Sequence, residues 1–306
     1  MPALRRDEFE RETARAYERL LAAEEKEIVR AYRAALKAIR AEMAEVYAKY
    51  AKGDALTYAD MSRYNRLSEL QDQVRAHLVG MRRYVANGTQ RLASDAYQEG
   101  FYRTGWKITK TTRADLSWGL LRPETIVAAV QNPISGLTLS ETLEAARDRV
   151  VLEIKRAITQ GLVQGESYPK MAARIKDTLE GDATKAMRVV RTEGHRCVES
   201  GKLGGIEHAE ELGVEIDPTW NSTLDDKVRD THAAMDGQIA DAEGYFHSPA
   251  GGRAKYPGGF GIAKEDCNCR CALVARPKGT KPTVRRIRGE GIVTYKTYKE
   301  WKEAQG

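Results

Sequence analysis

The sequence lacks any apolar run of about 18 residues, the length that a membrane-spanning helix requires, so no transmembrane segment is expected. Its first twenty residues contain arginines but no apolar stretch, which argues against a secretory signal. Aromatic residues make up only 7% of the chain, whereas charged residues make up 31%. This balance favours a helical protein with much polar surface over a single compact enzyme domain.

Cysteine is scarce as well, with four residues in 306, and three of them are Cys267, Cys269 and Cys271. Without a secretory signal, we expect the protein in the cytoplasm or inside a virus particle, where disulfides are rare. In an extended segment alternate side chains share one face, so these three thiols would point the same way. With His232 or His195 they are candidate zinc ligands, although paired Cys-x2-Cys motifs are missing. Buried thiols without a metal are the alternative.

The positive charge is concentrated near the C-terminus. The chain has a net charge of +6, and residues 273–306 contain nine Lys or Arg against three Glu, which accounts for the whole excess. A basic tail can contact phosphates without sequence preference. The candidate DNA-contact residues are Arg276, Lys278, Arg285, Arg286 and Arg288. A solvated tail without a partner is the alternative.

The N-terminal third has helical periodicity. Apolar residues recur every three or four positions from Tyr17 to Tyr50 and predict one long helix, which a glycine at position 53 should end. Thr57 and Asp60 then resemble a capping box. They predict a second helix whose apolar side includes Tyr64. We therefore predict a long antiparallel helical hairpin, used for docking, in residues 1–115.

The pattern changes twice farther along the chain. Residues 116–189 predict a helical middle region. Residues 190–273 are richer in glycine, proline and histidine and predict a small α+β domain with a strand near "EIDPTW". Residues 274–306 form the basic C-terminal tail. The predicted fold class is mainly α, with a small α+β C-terminal domain and a long N-terminal helical hairpin.

Acidic residues surround one histidine of the predicted α+β domain. His232 and Asp236 are four apart and would share a face of a helix, and Asp225 and Asp226 precede them. Carboxylates and a histidine can hold a metal ion that activates water for attack on a phosphate. A metal-dependent phosphodiesterase or nuclease is therefore one alternative function. Acidic residues near the positive end of a helix, with no ligand, are the simpler explanation.

A serial motif in this region resembles the bacteriophage minor head proteins, the Mu F-like head-morphogenesis family. In one-letter code it reads RTE…W…D…R..H…DG…F…PG…NCRC. Cys267 falls outside its last element. The motif residues that the resemblance marks as structural are Arg191, Glu193, Trp220, Asp225, Arg229, His232, Asp236, Gly237, Asn268 and Arg270.

The resemblance implies a non-enzymatic minor capsid protein that binds the phage portal protein during virus assembly. Its other expected partners are the major capsid or scaffold protein and, without sequence preference, packaged DNA; no membrane is implied. It would lie inside the head of the virion, and in the host cytoplasm during assembly. Some relatives carry ADP-ribosyltransferase domains after this module, but only 35 residues follow Cys271 here, so an appended enzyme is not expected. A DNA-binding accessory protein is the other alternative function.

We also expect Cys269, Cys271 and His232 to approach one another, with or without zinc. In that arrangement the cysteine cluster closes and fixes the small domain and performs no catalysis. Zinc is accordingly the one candidate cofactor.

Overall fold

The structure is a computed structural model that describes residues 4–112, 116–132, 137–223, 225–278, 284–287 and 291–294. Its α-helices are α1 (Leu4–Tyr50), α2 (Tyr58–Ser62), α3 (Arg66–Thr112), α4 (Pro123–Val130), α5 (Leu139–Val163), α6 (Tyr168–Glu211), α7 (Asp230–Ala234) and α8 (Ala263–Asp266), with a one-turn 3-10 helix (Arg63–Asn65) between α2 and α3. Its strands are β1 (Ile216–Asn221), β2 (Phe246–His247), β3 (Arg253–Ala254), β4 (Ala272–Pro277), β5 (Val284–Ile287) and β6 (Gly291–Thr294). The described strands pair antiparallel, β1 with β4, β2 with β3 and β5 with β6. The predicted fold class is confirmed.

The first two long helices form as the sequence predicts. Ile28, Ile39 and Met43 of the apolar stripe are fully buried, and α1 ends at Tyr50 before the turn. The side chain of Thr57 then accepts a hydrogen bond from the backbone N–H of Asp60 (3.2 Å), which satisfies an otherwise unpaired donor at the start of α2.

The second predicted helix is interrupted at its start. Tyr64 and Asn65 have φ angles of 55° and 59°, in the left-handed region that non-glycine residues seldom adopt. The kink turns Tyr64 out of the helical repeat, and 83% of the residue is exposed. Its predicted place on the apolar side is therefore wrong. The Arg66 guanidinium lies 3.9 Å from the centre of the Tyr50 ring, where a cation–π contact holds the turn.

The chain forms two compact units. Unit 1 comprises Met1–Ala22, Arg91–Leu139 and Arg191–Gly306, and unit 2 comprises Ala23–Gln90 and Ser140–Val190. Helices α1, α3 and α6 contribute residues to both units. The division into four regions drawn from the sequence remains a prediction. In the described part of the chain, no helix is both long and apolar enough to span a membrane.

Unit 2 is a helical bundle with a buried polar network. In it α1 and α3 run antiparallel. Glu42 Oε1 of α1 lies 3.4 Å from His77 Nε2 of α3. Glu27, which precedes Glu42 in α1, accepts a hydrogen bond from the hydroxyl of Tyr84, which follows His77 in α3. At the centre, Arg82 Nη1 donates to the hydroxyl of Tyr32 (2.9 Å) and lies 3.6 Å from Asp182 Oδ2. The Arg82 and Asp182 side chains are only 3% and 1% exposed, so this ion pair is withdrawn from water.

Unit 1 contains the small sheets and a core that α3 and α6 share with them. Strands β1 and β4 pair along their whole length, with Trp220 opposite Leu273. The buried residues of this core are Ile108, Ile206, Ala209, Ile216, Trp220, Met235, Phe246, Tyr256, Cys269, Cys271, Leu273 and Ala275.

Two glycines bring the backbones of α3 and α6 into direct contact within unit 1. A Cβ atom at Gly201 would overlap the carbonyl oxygen of Tyr97, and one at Gly100 would overlap the carbonyl oxygen of Val198. Only glycine therefore permits this approach. Helices α3 and α6 also contribute Ile108, Ile206 and Ala209 to the core that contains Trp220 and Leu273 of the strands.

Candidate functional site

One histidine and two cysteines meet inside unit 1. The Nδ1 atom of His232, in α7, lies 3.6 Å from Cys269 Sγ and 3.4 Å from Cys271 Sγ. All three side chains are buried, and their ligand atoms lie within 4.8 Å of one another. Among the residues that the structure describes, this is the one group of three or more side chains with the geometry of a metal site.

A buried carboxylate orients the imidazole. Glu265, in α8, is 4% exposed, and its Oε2 lies 2.9 Å from His232 Nε2. A carboxylate oxygen accepts, so Nε2 carries a hydrogen, and Nδ1 is the ring nitrogen that faces the two sulfurs. Thr231 Oγ1 donates to the same Oε2 at 3.2 Å. The role of Glu265 was not predicted from the sequence.

One face of α6 holds the backbone on both sides of the cysteines. Thr192 Oγ1 accepts from the backbone N–H of Asn268 at 3.3 Å, and Glu199 Oε2 accepts from that of Leu273 at 2.6 Å. Lys202 Nζ donates to the other oxygen of Glu199 at 2.8 Å. The ring of His195 interacts with the backbone of Cys271.

This polar face of α6 was not predicted from the sequence. Positions 192, 195 and 199 are three and four residues apart, which is the spacing of one helical face, so their pattern was available as a signal.

The two thiols are electrostatically different. A hydrogen bond with Cys271 and burial raise the pKa of Cys269 well above its ordinary value. For Cys271, burial acts to raise the pKa, but hydrogen bonds with Cys269 and His232 hold the pKa well below its ordinary value. Because a thiolate is the form that binds metals, Cys271 is prepared for that role. In contrast, burial raises the pKa of the isolated Cys197 to about 11.

Cys267 lies outside this group. The predicted extended run from 267 to 271 is broken at Asn268, whose φ is 55°, so Cys267 does not share a face with the other two. Cys267 follows the end of α8, and its carbonyl oxygen accepts a hydrogen bond from Arg229 Nη2.

The carboxylates of the nuclease alternative do not converge on His232. Helix α7 ends at Ala234, so Asp236 does not share a helical face with His232. Its Oδ1 accepts from the backbone N–H of Ser222 at 2.8 Å. Asp225 accepts two hydrogen bonds from Arg270, which hold the pKa of Asp225 below its usual range, and Asp226 is exposed.

Two comparisons with known proteins point to the same family. Residues 152–274 match the family described as Phage Mu protein F like protein. The chain is 34% identical to the minor head protein GP7 of Bacillus phage SPP1 over 263 residues, which cover 85% of each chain. This chain belongs to the family of phage minor head proteins. A minor head protein is a component of the phage head and takes part in head morphogenesis.

A second relative of this minor head protein has a different name. The NAD(+)--arginine ADP-ribosyltransferase EFV of Enterococcus faecalis (strain ATCC 700802 / V583) is 30% identical over 258 residues, covering 84% of this chain and 52% of the relative. An uncharacterized protein of Haemophilus influenzae is 27% identical over 190 residues, covering 62% of this chain and 38% of the relative. No solved structure matches the chain.

Further motif residues of the minor head protein make contacts of their own, and Trp220 lies beside the cluster. The fully buried Trp220 ring lies 5.4 Å from the His232 ring, edge to face, and its Nε1 donates to Ser222 Oγ at 3.2 Å. Gly237, with a φ of 80°, donates from its N–H to the carbonyl oxygen of Trp220. Arg191 accepts through its carbonyl oxygen from the Tyr17 hydroxyl at 3.3 Å.

Glu193 belongs to a buried ion pair that fastens α4. It contacts Arg196 one turn along α6 at 3.0 Å. The Arg196 guanidinium also donates to the carbonyl oxygens of Ala129 (2.7 Å) and Val130 (2.6 Å) at the C-terminal end of α4. A cation there satisfies unpaired carbonyls and opposes the helix dipole. Arg196 was not singled out from the sequence.

The candidate DNA-contact residues lie partly in strands. Arg276 is in β4, and Lys278 Nζ lies 3.4 Å from Glu215 Oε2 at the surface. Arg285 and Arg286 belong to β5, where their backbones pair with Val293 and Ile292 of β6. Arg288 lies outside the described residues.

Proposed function

We propose that this minor head protein is a non-enzymatic assembly component that binds the portal protein in the procapsid and stays inside the virion. The observation that carries the proposal is the 34% identity to GP7, a protein named as a minor head protein, along 85% of both chains. Contacts with the major capsid or scaffold protein, and with packaged DNA, complete the proposal. Assembly takes place in the host cytoplasm. The residues near 190–273 and the basic tail that follows act as separate functional regions.

The region around α4 supports a protein partner. Leu120, just before the helix, is 94% exposed, and Val127 within it is 60% exposed. These apolar side chains lie within one short segment of a chain in which 31% of the residues are charged. Arg196 holds the end of α4 in place, so the apolar side chains are presented on a fixed element. Exposed apolar patches with polar surroundings are typical of protein–protein contacts.

An affinity pull-down tests the portal contact. The tagged protein is recovered from phage-producing cells, washed at high salt and analysed by mass spectrometry, and we expect the portal protein to remain bound. Val127→Lys should reduce portal recovery by at least about ten-fold, because a charge would be desolvated in the interface. The matched control is Leu152→Lys, an apolar residue 47% exposed on α5, which should leave recovery unchanged. Recovery of nucleic acid alone, lost as salt rises, would contradict the proposal.

The basic C-terminal segment supports the contact with DNA. Residues 273–306 have an excess of six positive charges. Each phosphate neutralised by a cation releases counterions, so affinity should fall steeply and without sequence preference as salt increases. Such binding suits a protein that lies beside packaged DNA of any sequence.

The salt dependence of DNA binding tests this contribution. Changing Arg285, Arg286 and Arg288 together to Gln should lower the slope of log K against log salt by roughly two to three, since each phosphate contact contributes about 0.9. Fluorescence anisotropy with a labelled duplex gives the slope. The control changes three exposed cations of α1, Lys26, Arg33 and Lys37, to Gln. Equal loss of slope in both variants would mean that net charge, and not the tail, determines binding.

A further inference from the structure

The separations within the cysteine–histidine cluster match those around a zinc ion. In a tetrahedral site with a Zn–N bond of about 2.0 Å and a Zn–S bond of about 2.3 Å, nitrogen and sulfur are about 3.6 Å apart. His232 Nδ1 lies 3.6 Å from Cys269 Sγ and 3.4 Å from Cys271 Sγ. Both nitrogen–sulfur distances therefore match the edges of such a tetrahedron, and all three atoms lie within 4.8 Å of one another.

The surroundings of the imidazole also match those of a metal ligand. A ligating histidine commonly donates its other ring N–H to a carboxylate, which fixes the tautomer and the orientation of the ring. Glu265 performs this role at 2.9 Å from Nε2. The edge of Trp220 and the stacked ring of Phe260, with centres 5.4 and 5.9 Å from that of His232, restrict the imidazole further.

The chain holds the two sulfurs in place before any ion arrives. Thr192 and Glu199 fix the backbone at Asn268 and Leu273, on either side of the cysteines. A second histidine of the same helix face, His195, has a buried Nε2 atom without a hydrogen-bond partner. His195 itself lies outside the group of three ligand atoms.

We infer that His232 Nδ1, Cys269 Sγ and Cys271 Sγ bind one Zn²⁺ ion. Zn²⁺ binds thiolate and imidazole donors well, whereas Mg²⁺ and Ca²⁺ prefer oxygen donors. Zn²⁺ binds the thiolate form of cysteine, so affinity should fall as the pH is lowered. The burial of the site assigns the ion a structural role: it joins α7 to the segment that leads into β4.

Metal analysis of the full-length protein tests the site. Protein purified under reducing conditions without chelators should contain about one Zn²⁺ per chain by inductively coupled plasma mass spectrometry. Cys271→Ser should lower that occupancy at least ten-fold. Cys267→Ser is the matched control and should keep it, because Cys267 lies outside the cluster. Equal occupancy in all three proteins would overturn the proposal.

A second measurement covers the case in which Cys271→Ser does not fold. Wild-type protein loaded with Co²⁺ should show thiolate-to-cobalt charge-transfer absorption and the intense visible bands of a tetrahedral ion. Removal of the ion should lower the thermal midpoint of unfolding, and Zn²⁺ should restore it. Folded wild-type protein that takes up neither ion, or whose mass shows a Cys269–Cys271 disulfide after isolation, would overturn the proposal.

Discussion

Replacing Gly201 by alanine is expected to destabilise the protein by about 2 kcal/mol or more, although alanine favours helices. The added Cβ would overlap the carbonyl oxygen of Tyr97 on α3, a backbone atom that cannot rotate away. Separating the two helices would open the core beneath the small sheets, and such overpacking typically costs about 1–3 kcal/mol, occasionally more. Urea unfolding followed by far-UV circular dichroism measures the change.

The same helix provides a matched control for this variant. Gly181 also lies within α6, and a Cβ there would meet no atom within 4 Å. Gly181→Ala should therefore stabilise the protein by roughly 1 kcal/mol through helix propensity alone. A stabilisation of similar size at Gly201 would show that the contact between α3 and α6 is looser than the structure indicates.

Removing the charge of Arg82 should have a still larger effect. Arg82→Met leaves the buried Asp182 carboxyl without its counter-charge, and breaking a buried pair from one side costs about 3–5 kcal/mol. The Tyr32 hydroxyl also loses the donor that lies 2.9 Å away. We expect the thermal and urea midpoints of unfolding both to fall sharply.

Two further variants separate the buried pair from general charge effects. Replacing all three polar residues, with Tyr32→Phe and Asp182→Leu added to Arg82→Met, should recover most of the stability, because no buried charge or hydroxyl remains unpaired. Lys185→Met breaks an exposed pair with Glu153 (3.3 Å) and should change stability by less than about 1 kcal/mol. If Arg82→Met behaves like Lys185→Met, the buried network does not hold unit 2 together.

Much of the helical part could be predicted because its signals are local. The stripe that includes Ile28 and Met43 and the cap at Thr57 each depend on residues within one or two turns. The kink at Tyr64 could not be predicted, because a left-handed conformation at tyrosine follows from the surrounding structure and not from its own propensity. The close contact at Gly201 could not be predicted for a similar reason, because it depends on residues about a hundred positions away in the sequence.

At the candidate site, the residue types were more informative than their spacing. His232, Cys269 and Cys271 were singled out because their side chains can bind zinc, and the structure brings them together. Spacing alone misplaced Asp236 on the helix of His232, because α7 is only one turn long. The supporting role of Glu265 could not be predicted, because its burial depends on a partner, His232, that is distant in the sequence.

Unit 1 is assembled from separated parts of the chain, and this limits which segments of the gene can be exchanged by recombination. This unit draws on three separated stretches of chain, whereas unit 2 has all its residues once Val190 has left the ribosome. Recombination that transferred only the cysteine-containing end would leave behind the α3 segment against which α6 packs. The match to the ADP-ribosyltransferase EFV accordingly spans 258 residues and 84% of this chain. Nearly the whole chain must therefore be inherited as one piece, and we expect a fused domain to be tolerated best when it is joined outside the aligned residues.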